Sequence, residues 1–94
     1  MTKIRFSPLE EAILSMIGER WHSYEELRQI LFPEYSPESI KSAIAWLRSK
    51  ALIAPLDRLH GTPMYEQTQL GAHILGEYRR GLNNSFQRQA AGVR

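Results

Sequence analysis

The sequence predicts one small α+β domain in which four helices accompany a β-hairpin. Its 94 residues are enough for a single domain. A serine or threonine stands before each of four stretches whose apolar residues recur at helical spacing. Two short segments between the third and fourth stretches have the composition of paired strands. Together these observations predict the order of the elements along the chain.

The first helix is predicted to begin after Ser7. Pro8 at the first helical position and Glu10 three residues after the serine complete a capping box, which satisfies free N–H groups at a helix start. We expect Gly18 to end this helix. Its apolar stripe is Leu9, Ala12, Ile13, Met16 and Ile17.

The second helix is predicted to be short and to follow an extended piece at residues 21–22. Ser23 and Glu26 form a second capping box at its start. Phe32 ends it, because a residue before proline is pushed out of the helical region and Pro33 follows. Its expected buried side is Leu27, Ile30 and Leu31.

A third helix is predicted over residues 37–50, since Ser36 and Pro37 repeat the combination of cap and proline. Two helices joined by so short a turn are typical of the helix-turn-helix motif. The expected buried stripe is Ile40, Ala43, Ile44 and Leu47. The expected outward face is Glu38, Ser42, Ala45 and Ser49, with Lys41 and Arg48 on one flank and Ser39, Trp46 and Lys50 on the other.

A β-hairpin is predicted after the third helix. Residues 52–56 and 64–67 have the composition of its strands, and Pro55 is tolerable only at an edge or irregularity. Thr68 is expected to cap a last helix. The apolar positions of that helix are Leu70, Ile74, Leu75, Tyr78 and Leu82.

This order resembles the winged helix-turn-helix family of DNA-binding proteins, and within it the small MarR-like and PadR-like bacterial regulators. Residues 36–53 resemble the recognition helix running into Leu-x-x-x-Gly-Leu-Ile, with Ala51 in place of the glycine. Residues 65–71 resemble Tyr-x-Leu-Thr-x-x-Gly, with Gln67 in place of the leucine. The resemblance covers about residues 7–80. It implies a winged helix-turn-helix fold: helix, short strand, helix, helix, β-hairpin wing and C-terminal helix.

Charge is divided unevenly along the chain. Four basic and seven acidic residues lie up to Glu38, a net charge of −3, whereas eight basic and three acidic residues follow, a net charge of +5. The basic part indicates a polyanionic partner, although ordinary scatter of charges gives the same pattern. No stretch is long and apolar enough to span a membrane, so we expect a cytoplasmic protein with no membrane partner.

The residue types argue against an enzyme. The chain has no cysteine, its three histidines (His22, His60 and His73) are far apart, and Asp57 is its one aspartate. It also lacks the glycine-rich motifs that bind phosphates. We therefore expect no catalytic residue, no metal ion and no cofactor.

Both tryptophans are predicted to pack within the domain. Trp21 is expected in the core beside the hairpin strands, and Trp46 over the edge of the core against the hairpin. The functional alternative for Trp46 is an aromatic that stacks on a partner.

The function predicted is a sequence-specific regulator of transcription, a repressor, that binds double-stranded DNA. Helix 37–50 is expected to read the major groove, and the wing at residues 57–64 the minor groove or the backbone. The residues expected to contact DNA are Ser36, Ser39, Lys41, Ser42, Ala45, Arg48, Arg58 and His60. The alternative is a winged-helix module that binds proteins and not DNA, and structured RNA is a third possibility.

We expect two copies of the chain to form a homodimer through the last helix, because small winged-helix regulators often dimerise through terminal helices. Leu75, Tyr78 and Leu82 are the residues predicted at that interface. The domain boundary is predicted near residue 80, with a basic tail over 81–94 that is a helical extension or mobile. No small-molecule effector follows from the sequence.

Overall fold

The computed structural model describes residues 4–56 and 63–92, and side chains through residue 81. The three strands make an antiparallel sheet in the order β1-β3-β2. The α+β class and the predicted order of elements are confirmed. The elements are α1 (Pro8–Glu19), β1 (His22–Ser23), α2 (Tyr24–Leu31), α3 (Pro37–Ser49), β2 (Ile53–Leu56), β3 (Met64–Gln67) and α4 (Gln69–Gly92).

The first three helices begin at the predicted serines. Ser7 Oγ accepts a hydrogen bond from the Glu10 backbone N–H at 3.1 Å, and the Glu10 carboxylate accepts one from the Ser7 N–H at 2.9 Å. Ser23 and Glu26 form the same reciprocal pair. The Ser23 N–H lowers the pKa of Glu26 below its ordinary value of 4.5, because it stabilises the charged carboxylate. Ser36 caps α3 in turn, and each such cap contributes about 1 kcal/mol to stability.

Helix α1 runs through Gly18 and ends at Glu19, so the prediction that Gly18 ends the helix is wrong. The glycine instead permits a close approach. Gln67 Nε2 donates a hydrogen bond to the Leu14 carbonyl oxygen at 3.0 Å, and a Cβ on Gly18 would overlap the Gln67 side chain. Gln67 therefore connects β3 to α1 by a polar contact.

The core lies between the buried stripes of α1 and α3. Ile13, Leu14 and Ile17 of α1 pack there with the four residues predicted for α3. Leu14 was not in the predicted stripe of α1. The remaining buried apolar residues are Phe6, Leu9, Leu27, Leu52, Ile53 and Leu75.

Two expectations about the core are wrong. Trp21 is 47% exposed, because pairing with β3 begins one residue later at His22, which takes the buried position. Ile30 is 55% exposed, since α2 has only eight residues and buries Leu27 alone. Both side chains lie at the surface of the domain.

The turn between α3 and β2 is a Schellman motif with alanine at its left-handed position. The Ala51 N–H donates to the Arg48 carbonyl oxygen and the Leu52 N–H to the Leu47 carbonyl oxygen, both at 3.0 Å. Ala51 has φ 60°, a conformation that costs a residue other than glycine about 1–2 kcal/mol. The motif directs the buried Leu52 into the core and the chain into β2.

Helix α4 starts against this turn. Thr68 Oγ1 donates to the Ala51 carbonyl oxygen at 2.7 Å and accepts from the Gly71 N–H at 2.9 Å, which confirms Thr68 as the cap. A Cβ on Gly71 would overlap the Leu52 carbonyl oxygen, so only glycine fits between α4 and that backbone. No helix in the described part of the chain has the length and apolar character that a membrane span requires.

Aromatic rings join the N-terminal segment to α3 and α4. Phe6 packs edge-to-face on Trp46, with ring centroids 5.9 Å apart, and on Tyr78 at 5.0 Å. Trp46 thus packs at the edge of the core, as predicted, and against the N-terminal segment; the hairpin is described only in part, so the predicted contact with it stays a prediction. Arg79 adds an ion pair with Glu11 at 3.2 Å. These contacts hold the first turns of α4 on α1.

Candidate nucleic-acid interface

Helix α3 presents a continuous outward face of small and polar residues. Its four predicted apolar residues are buried in the core, and this orients the helix about its axis. Among the described residues nothing covers the opposite side. Its exposed members are Glu38, Ser42, Ala45 and Ser49. Small side chains on such a face allow close approach to a groove.

The serines at the start of α3 differ in their hydrogen bonds. Ser36 Oγ accepts from the Ser39 N–H at 3.2 Å and donates to Ser39 Oγ at 3.0 Å. The Ser36 hydroxyl is therefore occupied by capping, while Ser39 remains exposed beside it. The structure brings these two predicted contacts together at the first turn of the helix.

The flank of α3 that faces α2 and β3 is cationic. Lys41 and Arg48 are exposed on it, as predicted, and they line a cleft of about 240 Å³. The Lys41 Nζ lies 5.4 Å from the centroid of the Tyr24 ring. The described residues that line it are Tyr24, Lys41, Ile44, Ala45, Arg48 and Tyr65.

Sequence reasoning did not find the two tyrosines of this cleft. Tyr24 is the first residue of α2 and Tyr65 lies in β3, 41 positions later. The β1–β3 ladder brings them to the same side of α3, because His22 pairs with Tyr65 and Ser23 with Met64. The sequence offered one signal for each: Tyr24 follows the capping residue Ser23, and Tyr65 lies in a predicted strand of the hairpin.

The flank of α3 that faces α1 includes two glutamates. A shallow cleft of about 460 Å³ lies there, and its lining includes the carboxylates of Glu10 and Glu38. Ser39, Ser42 and Trp46 also contribute to the lining. Lys50 lies on the same flank, near the Trp46 ring, so the two sides of α3 differ in their glutamates: the described lining of the Tyr24 cleft has no acidic residue.

The predicted wing residues Arg58 and His60 lie outside the described residues. The β2–β3 ladder is described as far as the pair Leu56 and Met64. The proline that sequence analysis confined to an edge, Pro55, does lie in an edge strand, since β2 is an outer strand of the sheet. The DNA contacts predicted for the wing stay predictions.

Of the three residues predicted for dimerisation, Leu75 is the one that the fold argues against, and the interface itself stays a prediction. Leu75 is 7% exposed and lies in the core of its own chain, so it offers almost no surface to a second copy. Tyr78 packs on Phe6, and the Leu82 side chain lies outside the described residues. Among the described residues, no group of three His, Cys, Asp or Glu side chains is placed to hold a metal ion.

The architecture defines a class of protein domain, the winged helix-turn-helix. Helices α2 and α3 form the helix-turn-helix, β2 and β3 form the hairpin that follows it, and α4 closes the domain. No protein-family model and no curated protein sequence matches the chain.

Solved structures of this class are similar to the chain. The adhesin competence repressor AdcR from Streptococcus pyogenes is 16% identical with a TM-score of 0.69, over 95% of this chain and 66% of that one. The transcriptional regulator BldR from Sulfolobus solfataricus is 23% identical with a TM-score of 0.73, over 92% and 62%. A cysteine-to-serine mutant of Lactococcus lactis ZitR, in complex with DNA, is 14% identical with a TM-score of 0.67, over 94% and 62%.

These similarities confirm the winged helix-turn-helix fold. The chain spans somewhat less than two thirds of the length of these three solved chains, from 62% to 66%.

Proposed function

We propose that this chain is a sequence-specific regulator of transcription that binds double-stranded DNA. Helix α3 lies in the major groove and the wing at residues 57–64 contacts the minor groove or the backbone. The observation that carries the proposal is the exposed face of α3, whose small side chains are bordered by Lys41 and Arg48. Repression is the proposed outcome, and the similar structure named a repressor supports it.

Two further findings support DNA as the partner. The ZitR structure that resembles this chain was solved in complex with DNA. The cationic flank lies on the side of α3 next to the hairpin, so α3 and the wing can face the same duplex. Phosphate contacts then supply affinity, and side chains of the outward face supply sequence preference.

We infer that the protein acts as a homodimer through α4. This helix has 24 residues and is therefore about 36 Å long. Tyr78 and Arg79 connect it to the N-terminal segment and to α1, through the Phe6 ring and the Glu11 carboxylate. A long helix of this kind is a suitable surface for a second copy, since helices in water are stabilised mainly by the packing of one face.

The experiment that tests the function is selection of binding sites from a random duplex library. We expect one enriched motif, and binding to it that weakens steeply as salt rises. Arg48→Ala should cost about 1–3 kcal/mol of binding free energy on the selected site if Arg48 contacts a base. Lys50→Ala removes the same charge from the end of the same helix and should have little effect.

Absence of any enriched site, together with no binding of duplex DNA at low salt, would contradict the proposal. Cross-linking of a protein partner to α3 would then favour the protein-interaction module. Competition between duplex DNA and structured RNA tests the third possibility, that the chain binds RNA.

A further inference from the structure

The Lys41 side chain points in a defined direction, toward Tyr24 of α2. Its ammonium group lies 5.4 Å from the centroid of the Tyr24 ring, and attraction to that ring holds the side chain toward α2 and away from the centre of the α3 face. Tyr24 itself packs against the core and directly follows the β1–β3 pairs. The position of the ring is therefore fixed by the fold, and the ring in turn orients the lysine.

The cleft between Tyr24 and Tyr65 has the chemistry of a site for a polyanion. Lys41 and Arg48 supply cations, the Tyr65 hydroxyl is a hydrogen-bond donor, and the Tyr24 ring, Ile44 and Ala45 contribute apolar surface. None of the described lining residues is acidic. The flank facing α1 has Glu10 and Glu38 instead, so phosphate groups are favoured on the Tyr24 side of α3 over the α1 side.

We propose that this cleft receives the sugar–phosphate backbone of one DNA strand and that Tyr24 is a positioning residue, which directs Lys41 to a phosphate. The inference rests on the proposed DNA-binding function and refines it. Lys41 then contributes affinity and not sequence preference, because phosphates are the same in every sequence. Base reading is left to the residues at the centre of the α3 face, such as Ser42 and Ala45.

The test measures binding of the full chain to two duplexes, the site selected from the random library and a scrambled sequence, between about 50 and 200 mM salt. Lys41→Ala should weaken binding by the same factor on both duplexes. It should also reduce the slope of log Kd against log salt concentration by about 1, the value for one lost phosphate contact. Lys50→Ala is the matched control, since Lys50 also lies near an aromatic ring, 5.9 Å from the Trp46 centroid, but on the other flank. That variant should leave the slope unchanged.

A double-mutant cycle isolates the role of Tyr24. Tyr24→Leu should weaken binding roughly two- to fivefold, the factor that corresponds to loss of an exposed cation–π contact. Tyr24→Phe keeps the ring and should retain binding. In the Lys41→Ala background, Tyr24→Leu should cause no further loss, because the positioned group is already absent.

Several results would overturn the inference and leave the proposed function intact. One is a Lys41→Ala loss confined to the selected duplex, which would show that Lys41 reads a base. Another is a Tyr24→Leu loss of the same size in both backgrounds, and a third is a Tyr24→Phe variant as weak as Tyr24→Leu. Lys41 is exposed, so the two-duplex comparison decides the question even if Tyr24→Leu fails to fold. A wild-type chain that binds neither duplex overturns the proposed function and the inference together.

Discussion

Among single residues, Ala51 adopts a left-handed backbone conformation that glycine usually occupies at the end of a helix. The Schellman motif after α3 requires a left-handed residue, and alanine adopts φ 60° there although glycine does so without strain. The family resemblance marks the same position, since it has glycine where this chain has Ala51. The hydrogen bonds of the turn and the burial of Leu52 keep the alanine in place.

Ala51→Gly is therefore predicted to stabilise the protein. Relief of the left-handed strain outweighs the greater freedom of glycine in the unfolded chain, and the expected net gain is about 0.5–1 kcal/mol in the free energy of unfolding. Chemical denaturation of the two proteins at the same pH measures the change. Ala45→Gly, on the exposed face of α3 in ordinary helical backbone, is the control and should be destabilising by a similar amount. An Ala51→Gly variant less stable than the wild type would show that the turn is not strained.

Among the elements, α4 is positioned by the turn that ends α3. Thr68 bonds to Ala51, and Gly71 lies directly on the carbonyl group of Leu52. Helix α4 can therefore approach this turn only because position 71 has no side chain. This contact explains why the motif resembling Tyr-x-Leu-Thr-x-x-Gly ends on glycine.

Gly71→Ala is expected to lower the free energy of unfolding by about 1–3 kcal/mol, because the new methyl group meets backbone that cannot rotate away. Gly81→Ala is a matched control in the same helix. A Cβ at Gly81 meets nothing within 4 Å, so alanine should stabilise α4 by about 0.5–1 kcal/mol there. Thermal unfolding of both variants checks the pair. Equal effects at the two positions would contradict the packing described for Gly71.

The molecule as a whole is elongated, and this shape suits a dimer that forms through α4. The chain is 57 Å long but only 29 by 20 Å across, and α4 passes residue 80 without interruption. The division into a domain and a tail at that residue stays a prediction. A long helix is suited to pairing two copies, and α3 is exposed in each.

We predict that the protein is a dimer in solution and that the selected site has two-fold symmetry. Half-sites should be centred about 34–36 Å apart, or a multiple of this distance, so that both recognition helices enter the same face of the duplex. Sedimentation equilibrium gives the mass, and library selection gives the symmetry. Leu82→Asp should shift the mass toward that of one chain and weaken DNA binding, whereas Leu70→Asp, an exposed change at the start of α4, should not. A monomer bound to an asymmetric site would rule out the dimer.

The amino-acid sequence was sufficient to predict where the helices begin and which side of α3 is buried. Capping serines, prolines and apolar spacing act between residues at most four positions apart, so they are legible in the chain and correct for α1, α2 and α3. The hairpin strands were also predictable, including Pro55 at an edge.

Contacts between residues that are far apart in the sequence could be learned only from the folded structure. Register in the β1–β3 ladder placed Tyr24 and Tyr65 beside Lys41 and left Trp21 exposed. Packing of β3 on α1 brought Gln67 to the carbonyl group of Leu14. Packing of α4 placed Leu75 inside its own core, where an apolar stripe had suggested an interface. The physical reason is that local signals specify the direction of the backbone, whereas contacts across the sequence depend on how whole elements pack.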